Sequence, residues 1–385
     1  MQGGQFPFGK IAACVATLGV ALTLLVSVPP IPWELIAYGR WTASSMTRGV
    51  KLYAGEGLNS SIAVTMESAG GARNFHVSGK VEASSDPVDM RLQRMLGHLS
   101  ALLHREPRTV LVVGCGAGVT AGCFTLYPSV ERIVICEIEP LIPPVVTTHF
   151  SQENYAFVKD PRVQIVYDDA RHFIRTTREK FDVITSDPIH PWVKGSATLY
   201  SQEYFEFVKS HLNPGGVVTQ WVPLYQSNLD VVKSEVATFS KVFPHAMLWS
   251  NEDAGKGYDT VISGTVEEAP INLEDLLIRM QSQAFAPIRE SLRAVGILST
   301  IELLGTYAGR AEDLGPWLRD AEVNSDMNLR LQFLAGLTLN LQVGDQIYQD
   351  MIQYCVFPRS LFIGSEPNTE ALRNYVELRR RPRSR

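Results

Sequence analysis

The sequence predicts a doubly wound α/β sheet, set behind one membrane-crossing helix and a small β-unit and followed by a helical region. Three observations predict it. Short apolar runs ("TVLVVGCG", "RIVICEIE", "VQIVYDD", "FDVITSD", "VVTQWV") alternate with segments of helical periodicity between Thr109 and Val222, as in a parallel sheet with crossover helices. The first run shows no polar alternation, as expected of a strand covered on both faces. Finally, the first run closes on a glycine-rich turn and the next three close on acidic residues, Glu137, Asp169 and Asp187.

Taken in order, the chain opens with "IAACVATLGVALTLLVSV", Ile11 to Val28, 18 residues without a charge. As a helix it would span about 27 Å, close to the hydrocarbon thickness of a bilayer. Pro29, Pro30 and Pro32 end it and Trp33 stands where an interfacial aromatic would sit, so residues 1–32 are expected to be a membrane anchor that contacts lipid through 11–28. "SVPPIP" is a poor signal-cleavage site. Arg40, Arg48 and Lys51 follow the apolar run and only Lys10 precedes it, which favours a single-pass protein with its C-terminal part in the cytoplasm.

After a linker over roughly 33–50, residues 51–85 alternate polar and apolar side chains and are expected to form a small antiparallel β-domain. Asp86 is placed to cap a helix that begins at Pro87, the start of an α/β domain over 86–265. A helical region is expected over 271–378, and 379–385 is a basic tail. A net charge of −5 gives no support for nucleic-acid binding. The five cysteines are scattered and lack metal-ligand spacing, so neither a metal site nor a disulfide framework is expected.

In "VVGCGAGV", Gly114, Gly116 and Gly118 allow a sharp turn and close approach of the backbone to a ligand. Dinucleotide-binding and S-adenosyl-binding folds share this turn. Glu137, about twenty residues on, can accept both hydroxyls of a ribose in either class. Asp169 followed by Ala170 fits an adenine site, the carboxylate accepting from the exocyclic amine and the small residue leaving room for the ring. Nothing supplies a nicotinamide side. Asp187 lies toward the reactive end of such a ligand, where a carboxylate can remove a proton from an attacking amine or bind a substrate ammonium.

With these motifs assembled, residues 51–265 resemble the spermidine synthase family, and among its members the bacterial ones fused behind a membrane domain. The resemblance implies a Rossmann-type, methyltransferase-like fold and transfer of an aminopropyl group from decarboxylated S-adenosylmethionine, a co-substrate in place of any resident cofactor, to putrescine or a related amine. It assigns Gln93 of "LQRMLGHL" to the nucleoside and Gly114, Gly116 and Gly118 to the glycine loop. Glu137 goes to the ribose, Asp169 and Ala170 to adenine, and Asp187 of "SDPIHP" becomes the base. Tyr200 and Tyr204 become candidates for lining the amine channel, and a homodimer is implied. Two positions depart from the family pattern. Ala117 and His190 stand where it carries aspartates. A neutral histidine could still accept an amine hydrogen bond or relay a proton, so His190 is a second catalytic candidate. These departures keep open an S-adenosylmethionine-dependent methyltransferase of the same fold, or a nucleoside-binding membrane protein without turnover. The stretch "NSDMNLRLQFLAGL" (Asn324 to Leu337) is expected to pack beside the catalytic face.

Overall fold

The computed structural model describes residues 8–42, 49–68, 71–253 and 255–380. Residues 381–385, most of the expected basic tail, lie outside the described residues, as does part of the linker at 43–48.

The apolar segment is a helix, Phe8–Ser27. Its stretch Gly9–Ser27 is long and apolar enough to cross a membrane, with mean hydropathy 2.0 and none of it buried against the rest of the protein. After the proline break, a short helix, Trp33–Tyr38, packs against the first antiparallel sheet. That sheet has the order β1-β2-β3-β4, with β1 Gly49–Glu56, β2 Ser61–Glu67, β3 Arg73–Val77 and β4 Lys80–Ser84. β3 and β4 are joined by the two-residue turn Ser78-Gly79, with φ of 48° and 85°. Both residues left-handed is the geometry that matches the twist of a tight hairpin.

Asp86 caps the next helix, Pro87–Leu103, by accepting from the Val88 N–H at 3.0 Å. This helix is buried along most of its length and leads into the main sheet. Eight strands form it, in the order β13-β10-β11-β9-β8-β5-β6-β7. They are β5 Thr109–Val113, β6 Arg132–Glu137, β7 Val163–Tyr167, β8 Phe181–Ser186, β9 Leu212–Pro223, β10 Met247–Asp253, β11 Lys256–Thr265 and, after the two-residue β12 Ile271–Asn272, β13 Tyr307–Arg310. The run β7-β6-β5-β8-β9 is parallel, and β11, β10 and β13 extend it antiparallel.

β5 therefore pairs with β6 on one side and β8 on the other, which makes the β5–β8 border the point where strand order reverses. In open α/β sheets ligands bind outside the carboxyl ends of the strands at such a border. Val113 and Ser186 are register partners across it, so Gly114 and Asp187 leave the sheet side by side.

The C-terminal region is helical, as its periodicity predicts, but it also returns to the sheet. β13 adds the edge beyond β10, and a two-stranded parallel pair joins β12 to Phe362–Ile363. These strands are of four and two residues, too short for a period-2 pattern to register. The last helix runs Glu366–Arg380, and Arg379 pairs with Glu252 at 3.0 Å and donates to the Gly305 carbonyl. Arg379 and Arg380, placed in the basic tail from the sequence, thus belong to this helix.

Asn324 ties the C-terminal region to the segment after β8. Its Nδ2 donates to the carbonyls of Ala197 (2.9 Å) and Tyr200 (3.1 Å), and its Oδ1 accepts from the Leu331 N–H (3.0 Å). Asp326 pairs with Arg171, and its N–H donates to Glu203 at 2.9 Å. Asn324 is fully buried, so Asn324→Ala strands three polar groups. It should cost about 3 kcal/mol of stability, measured by denaturant unfolding, where a loss near zero would count against this account.

Candidate active site

The glycine turn after β5 holds Gly114, Gly116 and Gly118 at φ of 81°, 52° and 79°. A Cβ on Gly114 or Gly116 would meet nothing within 4 Å, whereas one on Gly118 would strike the Phe157 ring at 2.3 Å. The first two thus face open space and the third is fixed by packing. Ala117 is buried, and its carbonyl accepts from Asn154.

Glu137, at the end of β6, is buried, with Oε2 accepting from the Cys115 N–H (2.7 Å) and Oε1 from the Glu139 N–H (2.8 Å). Burial raises its pKa and the backbone donors oppose that. Each oxygen keeps a second lone pair for a hydroxyl. Asp169 is exposed at the end of β7 and caps the Ala170–Thr176 helix through the His172 N–H at 2.8 Å. Its neighbour Asp168 bonds the His172 ring at 2.7 Å. Glycine turn, Glu137 and Asp169 thus stand at the ends of three adjacent strands.

Gln93 is buried on the Pro87–Leu103 helix, and its Nε2 donates to the carbonyls of Ser84 (3.3 Å) and Asp89 (3.2 Å). It joins that helix to the end of β4.

Asp187 reaches solvent where the chain leaves β8, while its carboxyl is hemmed in by protein. That enclosure, together with the charges of Asp89 and Glu82 and opposed by Lys80, pushes its pKa up to about 7. The loop after it is braced from behind. The Tyr200 hydroxyl donates to the carbonyls of Pro188 (3.4 Å) and Ile189 (3.2 Å), and the Ser196 hydroxyl to that of His190 (2.6 Å).

Three expectations are corrected here. Tyr200 is buried and supports the loop, so it does not line a channel. Tyr204 is buried as well, packed on Phe205; both tyrosines are held in the core by the turn that leads into the Gln202–Ser210 helix. His190 is almost wholly buried and is no proton relay open to substrate. Its Nδ1 accepts from Lys80 Nζ at 3.2 Å, and its Nε2–H donates to the Tyr225 carbonyl at 3.4 Å. Burial, then the Lys80 charge, drives its pKa well below the usual value. It is a neutral acceptor committed to a lysine.

The structure adds acidic groups that no local motif reveals. Glu82 comes from β4, Asp89 from the helix after it, and Asp259 from β11. Asp89 accepts from the Ser84 hydroxyl and from the Tyr258 hydroxyl at 3.0 Å. Asp259 is fully buried, and among the described residues neither of its oxygens has a partner at hydrogen-bond geometry, the Trp221 side chain being the donor beside it. Burial raises the pKa of all three, and the charges of Asp89 and Asp187 raise that of Asp259 further. Tyr225 and Tyr258 stack at 5.0 Å beside them. The only sequence signal for this wall is an aromatic just beyond β9 and another within β11, "PLYQ" and "GYDT".

Strand-end glycines, a glutamate held by backbone donors and a solvent-reaching carboxylate thus come together at the carboxyl ends of the parallel strands of a doubly wound α/β domain. Residues 89–250 match the model of the spermine/spermidine synthase domain family. Curated relatives include polyamine aminopropyltransferases of Aeropyrum pernix, 35% identical over 44% of this chain and 54% of that protein, and of Leptospira biflexa, 32% identical over 39% and 53%. The chain spans about half the length of these relatives. Among solved structures, a spermidine synthase in complex with the transition-state analogue AdoDATO is similar in fold, with TM-score 0.53 and 20% identity over 63% of this chain and 88% of that one. The spermidine synthase of Thermotoga maritima gives TM-score 0.51 and 21% identity over 63% and 87%.

Proposed function

We propose that the protein is an aminopropyltransferase that moves the aminopropyl group of decarboxylated S-adenosylmethionine to an amine of the di- or polyamine class. The observation that carries this reading is Asp187, a carboxyl with pKa pushed up to about 7 beside the glycine turn at the β5–β8 border. A base with that pKa takes a proton from an ammonium and is still half ionised at neutral pH.

In the proposed reaction Glu137, Asp169 and Ala170 hold the nucleoside while the glycine turn lets it approach. Asp187 accepts the ammonium proton. The freed lone pair forms a C–N bond to the aminopropyl carbon next to the sulfonium, and the C–S pair leaves with sulfur as methylthioadenosine. The leaving group is good, so alignment and proton removal are the main work of the protein. Glu82, Asp89 and Asp259 bring carboxyl groups to a side of the site where Ala117 and His190 bring none.

The proposed organisation is an anchor over 1–32, a β-domain over 51–85, a catalytic domain over 86–265 and a C-terminal region that completes the sheet. The anchor is proposed to cross the membrane once, with the catalytic part in the cytoplasm. Incubation with decarboxylated S-adenosylmethionine and a panel of amines should release methylthioadenosine in step with an aminopropylated product. Product formed only from S-adenosylmethionine, with a methylated acceptor, would overturn the reading in favour of a methyltransferase. Methylthioadenosine binding without turnover on any amine would leave a binding protein.

A further inference from the structure

The acceptor side of the cleft holds an ammonium group that belongs to the protein. Lys80 follows the Ser78-Gly79 turn, and a Cβ on Gly79 would lie 2.7 Å from the Gly39 Cα. The turn is therefore pinned against the chain that leaves the apolar helix, and Lys80 starts from a fixed point. Its Nζ donates to Glu82 Oε2 at 2.8 Å, to the Val81 carbonyl at 3.3 Å and to His190 Nδ1 at 3.2 Å. The same nitrogen lies 5.9 Å from the ring centres of both Trp192 and Tyr225. The side chains of Lys80 and Glu82 keep only 12% and 10% of their exposure.

A carboxylate, a neutral ring nitrogen and two aromatic faces are the groups that recognise an alkylammonium. Here they close around a lysine. Lys80 is also near enough for its charge to act on both Asp187 and Asp259, so the filled cage belongs to the same cleft as the proposed base.

Resting on the aminopropyl-transfer reading, we propose that Lys80 is the acceptor-specificity residue, a built-in ammonium that competes with the second ammonium of a diamine. With Lys80 in place, a diamine whose far nitrogen reaches the cage meets a like charge and finds Glu82 and His190 already bonded. Acceptors with one ammonium, and di- or polyamines whose far nitrogen lies out of reach of the cage, escape that penalty. A vacated cage instead offers Glu82 and the two rings to the far nitrogen.

The test compares 1,4-diaminobutane with butylamine as acceptors in the wild type, Lys80→Met and Lys80→Arg. The diamine-to-monoamine ratio of kcat/KM should rise at least about tenfold in Lys80→Met, about 1.4 kcal/mol of discrimination, and stay near the wild-type value in Lys80→Arg. An unchanged or lower ratio in folded Lys80→Met would overturn the proposal. If no variant turns over any amine, the reaction assignment fails separately. Lys80 is then read by calorimetric titration of 1,4-diaminobutane into the methylthioadenosine complex, where tighter binding to Lys80→Met supports the cage and unchanged binding refutes it.

Discussion

Replacing Asp187 with asparagine is expected to lower turnover by about 10²-fold or more, the usual contribution of a positioned general base, and at the same time to stabilise the protein at alkaline pH. The sign follows from proton linkage. The folded-state pKa is pushed up to about 7 from an ordinary value of 3.8, so the folded protein binds this proton more tightly than the unfolded chain. Stability is then lost as pH rises through that window, and asparagine carries no such penalty. The difference in Tm between Asp187→Asn and the wild type should be small at pH 4 and favour the variant at pH 8. Wild-type kcat should rise with pH through about 7 as the base ionises. Near-normal turnover in the variant, or a Tm difference that does not change with pH, would remove Asp187 from the role of base.

Replacing Glu137 with alanine is the second change with a large expected effect. Both carboxylate oxygens are held by backbone donors, Cys115 and Glu139, so the group is oriented before any ligand arrives. Hydrogen bonds to a charged acceptor are each worth about 1.5–3 kcal/mol. Losing two ribose hydroxyl contacts should weaken methylthioadenosine binding by about 10²–10⁴-fold. Calorimetric titration measures this directly. An affinity within threefold of the wild type, in a variant that still folds, would show that Glu137 serves only to support the turn.

What the sequence made legible follows from how local each signal is. The strand-to-helix alternation from Thr109 to Pro223, the glycine turn, Glu137 and Asp187 each lie within a few residues of an apolar run, and the fold places them at its ends. Lys80, Glu82, Asp89, Tyr225, Tyr258 and Asp259 come from four separate stretches. Each is an ordinary residue in its own stretch, and only the closing of β9, β11 and the β3–β4 hairpin around the cleft gives them a shared meaning. His190 shows the same limit from the other side. Its position in "DPIHP" makes it a catalytic candidate, whereas in the fold it is held by Lys80, which lies 110 residues earlier. The resemblance makes Tyr200 and Tyr204 channel candidates, but the short Ser196–Tyr200 turn and the Gln202–Ser210 helix direct both rings into the core.

The close approach of Gly39 to Gly79 has a practical side. Ala37 is fully buried and Tyr38 nearly so, packed with Ala63, and the Tyr38 ring meets His76 edge-on at 5.3 Å. The stretch between the apolar helix and the first strand is thus part of the folded body and forms the seat of the hairpin that carries Lys80. A soluble version of the protein trimmed after residue 32 keeps that seat. One trimmed after residue 42 removes it, and any change read at Lys80 in such a protein would report the cut, not the native setting of that residue.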